Sequence, residues 1–352
     1  MPGWVPDPFC VYAGPHESGR PTTVQVARRW RDLRSPRLPR DRFGRGAIGE
    51  EEVTVHMFKN VLIGVDGRQG GRDAIALGRQ LATPDATFSL AHVCDPFPGR
   101  GAVEVLAIER AEAQQMLERE RELASIDAKL VVRGPRPVGR GLHEAAELQG
   151  ADLLVVGSTR HALIGRVLMG DDCRAALDGT PCALGVAPLG YALAPRDLKH
   201  LGVGYDGSPE SEVALSAARE LAAAHGSAIK AIWVVSLQEV REDKPIPADW
   251  PAAIDELIER HADELAQVDG VQGTVVSGGP REELVEAGKQ LDLLISGSRG
   301  YGPVGRLFHG SVSRYLVGHA TCPLLVLSRH GTAAKRQVAD DRHGRAVVTA
   351  SG

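Results

Sequence analysis

Aromatic side chains make up only 4% of this 352-residue chain. No apolar run approaches the roughly 18 residues needed to cross a bilayer, and the amino terminus lacks a basic start followed by an apolar stretch. A membrane protein and a secreted one are therefore not expected. Cysteine is scarce as well: Cys10, Cys94, Cys173, Cys182 and Cys322 are odd in number and include no C-x-x-C pair, which speaks against a disulfide framework and a zinc site and for a reducing cytoplasm. The balance of 41 basic against 45 acidic residues gives a formal charge of −4. With so few aromatics, the chain lacks the basic, stacking surface of a general nucleic-acid binder. What is present, 43% hydrophobic residues in 352 positions, suits about two soluble domains.

The two ends differ from the middle. Residues 1–56 hold seven of the 22 prolines and nine arginines without a lysine, and no helical or strand period survives there. A disordered arm is the plain expectation; a basic tether for nucleic acid or anionic lipid is the sharper one, and a true start at Met57 is a third. Residues 331–352 form an equally polar, aperiodic tail, so both ends are left outside the expected fold.

Between them the sequence repeats. Asn60–Asp66 (NVLIGVD) matches His200–Asp206 (HLGVGYD), and Ala151–Ser158 (ADLLVVGS) matches Leu291–Ser298 (LDLLISGS), both at an offset of 140. Each copy alternates short β-branched runs with helix-period segments such as Arg72–Leu81 and Glu210–His225. That alternation predicts βαβ units and a parallel sheet. The expectation is an α/β protein of two tandem open sandwiches, each with five strands and about four helices. The domains span 57–190 and 197–330, joined by residues 191–196 (YALAPR).

In the second copy the fourth apolar run empties into a glycine-rich loop with the spacing G-x2-G-x9-G-S, set by Gly297, Gly300, Gly310 and Ser311. Glycine lets backbone approach a phosphate, and Ser311 as N-cap would aim the free N–H groups of the following helix at an anion. The bland alternative is that the glycines shape a turn and Ser311 only caps. Asp206 ends the first strand of the same copy, where open α/β sheets place ligands; its own bland role is to cap the next helix. Two literal GxGxxG strings, at Gly202 and Gly300, fail the context of a dinucleotide fold, and there is no GxxxxGK[ST] sequence.

The strand-end aspartate, the D-x-x-x-x-G strand, the G-x2-G-x9-G-S spacing and the closing CPLLVL together resemble the ATP-binding class of the universal stress protein family, over both copies from about Met57 to Arg329. The resemblance implies strand order 3-2-1-4-5, a cytoplasmic, stress-related regulatory role, and ATP bound often with Mg²⁺ or Mn²⁺. By motif position Asp206 would meet the ribose, the backbone of Val234 the adenine, and Gly297, Gly300, Gly310, Ser311 and Val312 the phosphates. It further suggests that the copies pair through their fifth strands as a pseudo-dimer, open to a further homodimer, with an unnamed regulatory protein as partner and neither membrane nor specific nucleic acid.

The first copy departs from the motif. Arg160 replaces the second glycine and Asp171 the serine, and the stretch from Gly170 to Pro181 is 11 positions against 13 from Gly310 to Pro323. A carboxylate where phosphate would lie is repulsive by about 1 kcal/mol even in water. One strong site, in the second copy, is the expectation; Arg160 as a phosphate ligand with Asp171 on a metal is the alternative. No residue near the motif plainly supplies a base or nucleophile, so a nucleotide-gated binding protein is favoured over a slow phosphohydrolase or nucleotidyl-transfer enzyme. His309 is read as a loop residue, His92 as a satisfied core histidine, and Cys182 and Cys322 as small buried hydrophobes.

Overall fold

The computed structural model describes residues 11–14, 22–27, 58–94, 103–158, 180–236, 250–298 and 310–328. Its strands are β1 (Val11–Gly14), β2 (Thr22–Ala27), β3 (Phe58–Gly64), β4 (Ala82–Val93), β5 (Ala128–Arg133), β6 (Leu153–Gly157), β7 (Ala183–Ala187), β8 (His200–Gly204), β9 (Ala228–Val235), β10 (Gln272–Ser277), β11 (Leu293–Ser298) and β12 (Leu324–Ser328). Its helices are α1 (Gln69–Leu81), α2 (Val103–Leu123), α3 (Val138–Gln149), α4 (Pro209–His225), α5 (Trp250–Ala266), α6 (Pro280–Gly288) and α7 (Ser311–His319). Each copy thus has the five expected strands. Among the described residues the second copy has four helices and the first has three.

All twelve strands join one sheet in the order β1-β2-β10-β9-β8-β11-β12-β7-β6-β3-β4-β5. Within each copy the order is 3-2-1-4-5 and the pairing parallel, as crossover helices require. Where the copies meet, β12 lies antiparallel beside β7, with Leu325 opposite Gly185. Strand alternation sends Leu293 and Ile295 to one face and Leu294 to the other. One face is covered by α1, α2, α4 and α5, the other by α3, α6 and α7, giving two apolar layers that both run the length of the sheet.

The repeated D-x-x-x-x-G aspartate has a structural task. Asp152 accepts the backbone N–H of Asn60 at 2.9 Å and of Lys59 at 3.1 Å. Asp292 accepts those of His200 at 2.8 Å and Lys199 at 3.0 Å. Each carboxylate pins the entry of its copy's first strand beside the fourth.

The segment between the copies is docked. Fully buried Asp73 on α1 accepts from Gly190 N at 2.7 Å, Ala192 N at 2.8 Å and Gln69 Nε2 at 2.8 Å. Tyr191 is buried and its hydroxyl donates to Gln80, whose amide reaches the Arg196 carbonyl at 3.0 Å. The other end of that helix receives the second copy: His225 Nε2 donates to the Gln80 carbonyl at 3.0 Å.

Two expectations need correction. The amino-terminal arm is not wholly outside the fold, because β2 pairs parallel with β10 and β1 antiparallel with β2. The run TTVQVA alternates as a strand should, and its Val24 is fully buried; the surrounding arginines and prolines hid that short period. The last helix starts at Ser311, with Gly310 as its N-cap, so the serine is the first helical residue and does not cap.

Two measurements follow. Asp292→Ala removes an acceptor for two backbone donors, and charged hydrogen bonds are worth about 1.5–3 kcal/mol each; a urea melt is expected to lose about 2–4 kcal/mol. Burial pushes the Lys230 ammonium down to about 8. The unfolded lysine keeps its proton to higher pH, so stability rises as pH climbs through that interval. Lys230→Met is expected to raise the melting temperature at pH 7, with the gain shrinking as pH rises above 8.

Candidate functional site

Strand order reverses between β8 and β11, with Ser296 opposite Gly204. Beyond that pair Tyr205–Asp206 and Gly297–Ser298 run on side by side, and α4 and α7 lie on opposite faces of the sheet, the arrangement that opens the crevice where such sheets bind ligands.

Gly297 is dictated by packing. A Cβ there would stand 2.4 Å from the carbonyl oxygen of Glu210 and 2.6 Å from its carbon, so the first turn of α4 rests directly on the strand end. The first copy repeats the contact more tightly, since a Cβ on Gly157 would stand 1.9 Å from the oxygen of Gly70. On the other side, buried Ser313 on α7 donates its hydroxyl to the Gly297 carbonyl at 3.4 Å. Two helix N-termini are thereby held at one glycine.

Asp206 is exposed and turns the chain into α4. Its Oδ1 accepts the Ser208 N–H at 3.1 Å and the Ser208 hydroxyl, an Asx turn across Gly207, whose φ is +68°. Ser208 is the N-cap of α4 and accepts Ser211 N at 3.3 Å, with Pro209 following. The turn lies on an aromatic floor. The Trp233 ring would be 3.3 Å from a Cβ at Gly207, meets Tyr205 edge-on at 5.7 Å and stacks on His261 at 3.9 Å. Burial and hydrogen bonding to the Glu212 carboxylate push the Tyr205 phenol up to about 12, so it stays neutral. In the first copy Asp66 makes the same turn, its Oδ1 accepting Arg68 N at 3.1 Å.

Val234 lies two residues beyond Ile232, the last residue of β9 paired with β8. The Ile232 carbonyl accepts Tyr205 N at 2.9 Å, so strand alternation turns the Val234 peptide groups toward the same side, past the end of β8. Its half-buried side chain packs on the layer under α6. At α7, the Gly310 N-cap has φ −63° and ψ 148° and supplies no side-chain acceptor, leaving the first N–H groups of the helix to other partners. Ser311 is exposed and Val312 half-buried at that end.

The structure thus brings Asp206, Val234, Gly297, Gly310, Ser311 and Val312 to one end of the second copy's sheet. Gly300 and His309 lie outside the described residues, as do Arg160, Gly170 and Asp171 of the first copy. His92 Nδ1 donates to the Val65 carbonyl at 2.8 Å, the bond of a core histidine. Cys182 and Cys322 are buried, and burial pushes the Cys322 thiol up to about 12. Among the described residues no group of three or more His, Cys, Asp or Glu is placed to hold a metal ion, and no helix is long and apolar enough to cross a membrane. The helix after Asp206 begins at Ser208 and Pro209, as its Ser-Pro pair predicts, whereas Ser313 and Trp233 carried no signal in the sequence.

The model of the Universal stress protein family matches residues 57–188 and again 198–328. A universal stress protein of Mycolicibacterium smegmatis is 26% identical over 290 residues, 76% of this chain and 96% of its own length. One from Thermus aquaticus is 31% identical over 137 residues, 37% of this chain and 98% of its own. The crystal structure of a universal stress protein from Archaeoglobus fulgidus superposes with a TM-score of 0.57 at 18% identity, covering 77% of this chain and 98% of that one, which establishes the likeness of fold.

The two glycines have separable tasks. Gly297→Ala forces a side chain onto fixed backbone and is expected to cost several kcal/mol in a denaturant melt, in the range of severe core damage of about 3–5 kcal/mol. Gly310→Ala meets nothing nearer than Ser313 Oγ at 3.7 Å and is expected to leave the melt within about 0.5–2 kcal/mol of wild type, the span of an N-cap change.

Proposed function

Because this chain belongs to the universal stress protein family, we propose that it is a nucleotide-gated regulatory protein of the cytoplasm whose second domain holds ATP. One observation carries this reading: an exposed carboxylate, the end of β9 beyond its last pairing with β8 and a helix N-terminus without a side-chain cap lie at the switch point of the second sheet. The residues fit an adenylate. The Asp206 carboxylate suits ribose hydroxyls, the Val234 peptide suits the edge of adenine, and the N–H groups of Ser311 and Val312 with Gly297, Gly300 and Gly310 suit phosphates. A divalent ion such as Mg²⁺ or Mn²⁺ would neutralise phosphate charge.

Binding without turnover is the favoured chemistry. The described polar groups at the exit of β8 serve their own turn: Asp206 holds Ser208, and the neutral Tyr205 hydroxyl is given to Glu212. A bound nucleotide would tie α4 and α7 together across the crevice, and a protein partner that reads this arrangement would sense it. The first domain keeps the packing glycine and the Asx turn, yet its loop carries Arg160 and Asp171 where the second has Gly300 and Ser311. We assign it a weak site or none.

Isothermal titration with ATP and Mg²⁺ is expected to give one site per chain. Ser311→Asp or Gly300→Asp is expected to weaken that site at least tenfold. Two equal sites would remove the asymmetry between the domains, and undiminished affinity in both variants would place the pocket elsewhere. Sustained phosphate release at about 1 per second or faster, the ordinary enzymatic range, would make the protein a hydrolase.

A further inference from the structure

The same topological strand, the third of each copy, forms an outer edge of both domains, and the two edges are treated differently. In the first domain β5 reads AKLVVR, with Lys129 exposed and Arg133 half-buried. Cationic side chains on an edge strand discourage pairing with other chains. In the second domain β10 reads QGTVVS, without a charge, and its four central residues are buried. An uncharged, β-branched edge of this kind is a template for another strand.

What covers β10 is the chain's own arm. Gly273 pairs with Val24, Thr274 with Gln25, Val275 with Val26 and Val276 with Ala27. The seat is shaped for it: a Cβ on Gly273 would stand 2.9 Å from Val24 Cγ2, and Val24 and Ala27 enter the apolar layers on opposite faces of the sheet. Beyond β2, the outermost strand β1 has only four residues, a length that blunts an edge. The matches to the family begin at residue 57, so this cover is an addition to the shared domain. Eight strand spacings of about 4.8 Å separate β2 from β3, roughly 38 Å. The 30 residues between them reach up to about 100 Å when extended, so one chain spans the distance with ease.

We propose that the β10 edge is a self-association surface held shut by residues 22–27, and that withdrawing them lets β10 of a second copy pair in their place. Identical strands meet antiparallel about a two-fold axis, the sense in which β12 and β7 already join within the chain. Tethering sets the contest. An intramolecular strand acts at an effective concentration in the millimolar range, so at micromolar protein the arm outcompetes a second copy by about a thousandfold.

The test uses the full-length chain in sedimentation velocity across a micromolar dilution series, with amide exchange read at residues 273–276. Wild type is expected to be monomeric with those amides protected. Val24→Asp puts a charge at a fully buried position, and Gln25→Pro removes a ladder donor while leaving the Val24 contact in place. Both are expected to expose the amides and to form dimers at concentrations where wild type stays monomeric. Gln25→Pro decides the matter if Val24→Asp unfolds the domain. Exposed amides without dimers would overturn the proposal, as would amides that stay protected in both variants or an oligomeric state that neither change moves.

Discussion

A single contact between backbones sets the geometry of each domain. The first turn of the helix after the first strand lies on the end of the fourth strand, with Glu210 on Gly297 in one copy and Gly70 on Gly157 in the other. Any side chain at the glycine would fill the space that brings helix and strand together. The crevice exists because this contact is made at the point where strand order reverses. The same fact changes the meaning of the glycine: Gly157 persists beside a loop carrying Arg160 and Asp171 because the fold needs it, whatever that loop binds.

Fusion of the two domains rests on a second set of contacts. The antiparallel seam of β12 and β7 makes one sheet of two, and both apolar layers continue across it. Asp73 then fixes the connecting segment through two peptide N–H groups, and Gln80 joins that segment and His225 to the same helix. A buried carboxylate is costly unless its lone pairs are filled, and here the connecting segment and Gln69 fill them. The first turn of α1 therefore lies at the crevice of the first domain while its body carries the join to the second.

Much of this was legible in the sequence. The offset of 140 located both copies, and the β-branched runs located their strands, since alternation of apolar residues survives wherever a strand is buried. Asp206 and Gly297 were legible as a pair because topology alone places strand ends one and four together. Other features depend on contacts between distant segments and left no local period. Asp73 sits in a helix where the second copy has Val213, and reads as a surface charge. Ser313 reads as a solvent-facing helix serine, and Trp233 as core. The strand at Thr22–Ala27 was lost among arginines and prolines, and the N-cap at Gly310 was misplaced by one residue because Ser311 is the better capping type.

The arm strand also constrains how the molecule is made. Val24 leaves the ribosome well ahead of its seat at Gly273, which comes about 250 residues later. At roughly 5–20 residues per second, that is a wait of about 12–50 seconds. During this interval the first domain can complete itself while the arm has no seat. Closing this outer edge therefore waits for the second domain, and a nascent chain interrupted before its second half carries a strand with nowhere to dock.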